Sequence, residues 1–122
     1  MLKIGLISGS LFALLSIIFG AFGAHALKEH LSAYSSSIYE KAVLYQMFHA
    51  LGILLVTILG NQIESINFAS SIYCFVLGII LFSGSLYILA ITDMKWLGVI
   101  TPIGGIFFII GWFLVLLKSI NF

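Results

Sequence analysis

The chain has 122 residues, 62% hydrophobic and 7% charged, with a net charge of +1 and a mean hydropathy of +1.27. A water-soluble domain carries about 25% charged residues, so this chain cannot build a water-facing surface, and lipid must cover much of its exterior. The charge balance leaves no basic footprint for nucleic acid, and the length suits one domain over residues 1–122.

A helix that crosses a bilayer needs about 20 apolar residues. Four runs meet that requirement: Ile4–Ala24, Ala42–Gly60, Phe68–Ile91 and Trp96–Leu117. None contains Lys, Arg, Asp or Glu; those residues are Lys3, Lys28, Glu29, Glu40, Lys41, Glu64, Asp93, Lys95 and Lys118, all at span ends or in connections. The runs are continuous rather than alternating, which argues against membrane strands. The expected fold is an all-α integral membrane bundle of four transmembrane helices, with spans at about 4–24, 38–60, 68–91 and 96–118.

In the first span, Gly5 and Gly9, then Ser16, Gly20 and Ala24, put small residues on helix faces, where backbones can approach closely. Gly20, Gly23 and Ala24 are read as packing residues that let a neighbour press on this helix where His25 emerges. Lys3, the apolar stretch and Ala24-His25-Ala26 also have the outline of a signal peptide with an A-x-A site, but the stretch exceeds the usual apolar region of one. The connection that follows, with Ala26, Leu27, His30, Leu31 and Tyr34, would suit a short helix lying at the membrane interface.

Ser37-Ile38-Tyr39-Glu40 has the form of a capping box, which predicts that the second helix starts near Ile38. Gly60-Asn61 is a plausible stop. Counted from Ile38, Gln46 and His49 lie about 12–16 Å into this helix. They share a face, with Tyr45 beside them. Polar side chains in lipid must face a partner or a cavity. In the third span, Ser83, Gly84, Ser85 and Tyr87 are the unusual residues, and the single cysteine, Cys74, reads as a small hydrophobe. The link Thr92-Asp93-Met94-Lys95 is short enough for a tight hairpin of the third and fourth helices.

In the fourth span, Thr101 could cap a helix that starts at Pro102, or Pro102 could kink one continuous helix. Gly104 and Gly105 follow it. With four spans, both termini share one side, here side A; the connections after the first and third spans lie on side B. Side A carries Lys3 and Lys118, and side B carries Lys28, Lys41 and Lys95, which leans weakly toward a cytoplasmic side B. His25, Tyr45, Gln46, His49, Ser85, Tyr87, Thr101 and Pro102 then gather in the side-B half as a candidate binding cluster, with Gly84, Gly104 and Gly105 as further packing residues. The simpler reading of the cluster is an interhelical hydrogen-bond network. A second is the lining of a small cavity. A third, haem or quinone held by His25 and His49, rests only on the presence of two histidines.

The chain has no intramembrane carboxylate, lysine or arginine to relay protons. It has no nucleophile motif, no phosphate loop, and no metal-ligand spacing around His25 or His30. Neither an enzyme nor a resident cofactor is expected.

Four motifs, GAFGAHALK (20–28), YEKAVLYQMFHA (39–50), FSGSLYILA (82–90) and LGVITPIGGIFFIIGW (97–112), resemble domain-of-unknown-function family 423, also called uncharacterised protein family 0382, whose animal relatives are transmembrane protein 256. The resemblance runs through all four spans in order. It implies a small multi-pass protein of the bacterial plasma membrane with a retained first span, and it brings no catalytic residues. The expected role is that of a structural or accessory membrane protein that packs against itself or a membrane partner, with a polar cluster that binds a lipid or small molecule. The alternatives are a small-solute transporter or channel subunit, and a haem or quinone protein.

Overall fold

A computed structural model describes residues 1–122 as four long helices: α1 (Leu2–Leu27), α2 (Ala33–Gln62), α3 (Ala69–Thr92) and α4 (Lys95–Ile120). Each is long and apolar enough to cross a membrane, and the four fall on the four uncharged runs. Charged residues end up in the turns and the outer turns of the helices, where water can solvate them.

The bundle is layered. Within the most apolar stretch of each helix, 44% of residues are buried in α2 and α3 but 17% in α1 and α4. The central pair is therefore α2 and α3, with α1 packed along α2 and α4 along α3. Two apolar clusters fill the interior. One, toward side A, contains Ile53, Val56, Ile72, Phe75, Ile79 and Phe108. The other, toward side B, contains Ile38, Tyr39, Ala42, Leu86, Leu89 and Leu97.

The start of α2 departs from the capping-box reading. Ser32 is the N-cap, with φ −62° and ψ 164°, and its hydroxyl accepts the Ser35 amide at 3.0 Å. Ser37 and Glu40 lie inside the helix. A capping serine needs non-helical backbone, and burial of Ser35, Ile38 and Tyr39 against the bundle instead carries the helix upstream. At 30 residues, α2 is about 45 Å long, longer than the roughly 30 Å hydrocarbon core. Gln46 and His49 consequently lie about 20–24 Å along it, nearer mid-helix than the later start implied.

The connection after α1 holds no separate interfacial helix. Residues Gly23–Leu27, including His25, finish α1 as a wide π turn, and α2 begins at Ala33. Tyr39 explains the arrangement: its hydroxyl donates to the Phe19 carbonyl at 2.6 Å, and its ring lies where a Cβ on Gly23 would be. The end of α1 is thereby held against the start of α2, leaving only a short turn between them.

The chain passes from α3 to α4 through Asp93, in left-handed backbone at φ 56°, a conformation that Asp tolerates better than most residues. A 3₁₀ turn, Lys95–Val99, opens α4, and α-helical geometry begins at Ile100. Pro102 thus sits in the first α turn, where a missing amide costs little. Thr101 does not cap a helix that starts at Pro102, since Thr101 is itself helical and the helical run is continuous from Lys95. A feature that sequence did not suggest lies in α3: Ile79–Ser83 forms a π turn at mid-helix. Beside it, the Gly104 backbone of α4 packs directly on the α3 backbone at Phe82.

Candidate functional site

Gln46 is 2% exposed and bridges three helices. Its Nε2 donates to the Phe12 carbonyl of α1 at 2.9 Å, and its Oε1 accepts the Tyr87 hydroxyl of α3 at 2.8 Å. The Tyr87 ring meets Phe19 and Tyr39 edge-on, at centroid distances of 5.1 and 5.2 Å. Both ends of the buried carboxamide therefore have partners, which removes the penalty of leaving polar groups bare in a low-dielectric interior.

His49 lies one turn further along α2 but joins a different set. Its Nδ1 is 2.7 Å from the Tyr45 carbonyl, and the Trp112 indole nitrogen is 3.1 Å from its Nε2. An indole N–H can only donate, so Nε2 accepts and Nδ1 carries the proton that goes to Tyr45. The ring is then neutral, in one tautomer. It stacks on Phe108 at 3.5 Å, with Phe75 and Phe82 completing an aromatic surround that includes Tyr45. Both ring nitrogens are engaged, leaving no lone pair for a metal. In this arrangement His49 therefore offers no free nitrogen to a haem iron.

A third link joins α3 to α4: the Ser85 and Thr101 hydroxyls are 2.6 Å apart. Beside it, Ser83 donates to the Ala42 carbonyl at 2.7 Å. The expected cluster is thus three separate interhelical ties. His25 and Pro102 belong to none of them, and both are exposed. The expectation that small residues would hold His25 against other helices is not met; the space beside Gly23 is taken by Tyr39.

The packing residues also divide. A Cβ on Gly104 would lie 2.3 Å from the Phe82 backbone nitrogen, so only glycine permits that crossing. Gly20 faces Val43 closely, Gly105 has an ordinary contact with the Phe82 ring, and Gly84 has nothing within 4 Å. Ala24 is exposed. Gly84 and Ala24 are therefore not buried packing positions; Ala24 lines the open cleft between the end of α1 and the start of α2.

Tyr39 and Trp112 are the working residues that the sequence reading left out of the cluster, and Ser83, noted there as unusual, was not assigned to it. Trp112 had a usable signal. A tryptophan inside a span needs an acceptor for its N–H, and His49 is one of the few side chains at membrane depth that could provide one.

The model of the family described as "Protein of unknown function (DUF423)" matches residues 19–105. A membrane protein of Staphylococcus epidermidis named UPF0382 is 45% identical over 99% of this chain and 98% of its own length. The UPF0382 membrane protein YwdK of Bacillus subtilis is 38% identical over 99% of both chains. No solved structure matches. The matched segment includes the three interhelical ties except for Phe12, whose carbonyl Gln46 meets, and Trp112. With four spans and relatives named as membrane proteins over their full length, this chain is a multi-pass protein of the cell membrane and belongs to the DUF423 family.

Proposed function

We propose that the protein is a non-enzymatic structural or accessory component of the membrane, acting through the outer faces of α1 and α4 by packing against itself or a membrane-protein partner. The observation that carries this reading is the internal engagement of the polar cluster. Gln46, His49, Ser83, Ser85 and Thr101 bond to neighbouring helices rather than to an open cavity. Their role is to set helix register and hold the bundle rigid. A lipid or small molecule would meet this cluster only at its rim, in a cleft of about 400 Å³ between the end of α1 and the start of α2, beside Gly23, Lys28, Tyr39 and Glu40.

Photo-crosslinking groups at Ile17 on α1 and Ile109 on α4, 61% and 69% exposed, test the reading in native membranes. A discrete adduct, with a second copy or with one other membrane protein, is the expected result. Lipid adducts alone at both positions would remove it. Solute flux in proteoliposomes that is lost in His49→Ala or Pro102→Ala would replace it with a transporter.

A further inference from the structure

At the side-A end, far from the polar cluster, the connection between α2 and α3 meets the last turns of α4. A cleft of about 820 Å³ opens there, lined by Ser65, Asn67, Ser70 and Lys118 above Leu114 and Leu117. The Lys118 ammonium donates to the Asn67 carbonyl, and to the Ser70 hydroxyl at 2.9 Å. It also lies 5.9 Å from the centre of the Phe68 ring. These partners are all neutral, and no carboxylate pairs with it. An ammonium has three donors, so one is left over.

Lysines near membrane boundaries ordinarily extend their heads into water. Lys118 is instead drawn onto the protein at a cost in side-chain freedom, with no carboxylate in ion-pair contact. The first turn of α3 lies in the same cleft. Its Ala69 amide is taken by the Asn67 side chain at 2.8 Å, while the following amides point the positive end of the helix the same way. A held cation at the polar edge of an apolar floor matches an anion that carries a hydrocarbon tail.

We propose that this cleft binds an anionic phospholipid, with Lys118 and Ser70 on the phosphate and Leu114 and Leu117 against the acyl chains. The apolar floor favours a lipid over free phosphate, which could use only the polar edge. The site is at the opposite end of the bundle from the polar cluster, so it stands or falls independently of the accessory role.

The test is native mass spectrometry of the full chain in mild detergent, titrated with phosphatidylglycerol, with phosphatidylcholine, and with inorganic phosphate as competitor. The unmodified protein should retain phosphatidylglycerol over phosphatidylcholine, whose choline brings its own counter-charge. Lys118→Gln should reduce that preference about fivefold, as expected for one interfacial cation, and Lys118→Arg should keep it. Ser70→Asp provides a second route: it places a carboxylate beside Lys118 and suits a first helical turn, so the protein should fold and still lose the preference. If Lys118→Gln does not fold, Ser70→Asp decides. An unchanged preference in the folded variants overturns the proposal, as does complete displacement of the lipid by inorganic phosphate.

Discussion

Gly104→Ala puts helix propensity and packing in direct opposition. By propensity alone, alanine should stabilise a helix interior by about 0.8–1.0 kcal/mol relative to glycine. The structure predicts the reverse sign. The added Cβ would lie 2.3 Å from the Phe82 nitrogen and 2.7 Å from its Cα, against 3.4 Å or more for an ordinary contact. The obstacle is backbone, so no side-chain rotation relieves it; α3 and α4 must separate by roughly 1 Å at this crossing. Overpacking of this kind costs about 1–3 kcal/mol, and the Ser85–Thr101 tie beside the crossing would lengthen with it. Gly84→Ala is the matched control. Nothing lies within 4 Å of the Cβ it would add, so it should be neutral or stabilising by up to about 1 kcal/mol. Reversible unfolding in mixed micelles, followed by helical circular dichroism, measures both. Equal stability changes in the two variants, or a Gly104→Ala protein as stable as the parent, would refute the close crossing.

Gln46→Leu should destabilise the bundle by about 1 kcal/mol, and a double-mutant cycle with Tyr87→Phe should return a coupling of about 0.6 kcal/mol and no more than about 1.7 kcal/mol, as for interhelical hydrogen bonds in membranes; additive effects would mean that the two side chains do not meet. Nitrogen NMR of histidine-labelled protein should show His49 neutral with its proton on Nδ1, and Trp112→Phe should change the Nε2 shift; a proton on Nε2 in the parent would contradict the pairing. Ser32→Ala should cost about 1 kcal/mol as the loss of a helix cap, whereas Ser37→Ala, inside α2, should cost much less, and hydrogen exchange at Ser35 should rise only in the first. The reverse order would restore the capping-box start.

The four spans were legible without coordinates because they depend on length and on the exclusion of charge from hydrocarbon, both of which are properties of a linear string. The same argument showed that Gln46 and His49 must have partners. It could not say which. Phe12, Tyr87 and Trp112 are 34, 41 and 63 residues away, and their meeting depends on which helix faces cross. Local motifs were weaker guides than burial: Ser37-Ile38-Tyr39-Glu40 has the chemistry of a helix start, yet the apolar faces around it bury best if the helix begins at Ala33. The π turn at Ile79–Ser83 has no signature in its own residues. Gly84 and Gly104 look alike in sequence, and only one stands at a helix crossing. What must be hidden in lipid is written in composition and spacing; which polar group satisfies which, and where two backbones touch, follows from how helices of fixed shape fit together in three dimensions.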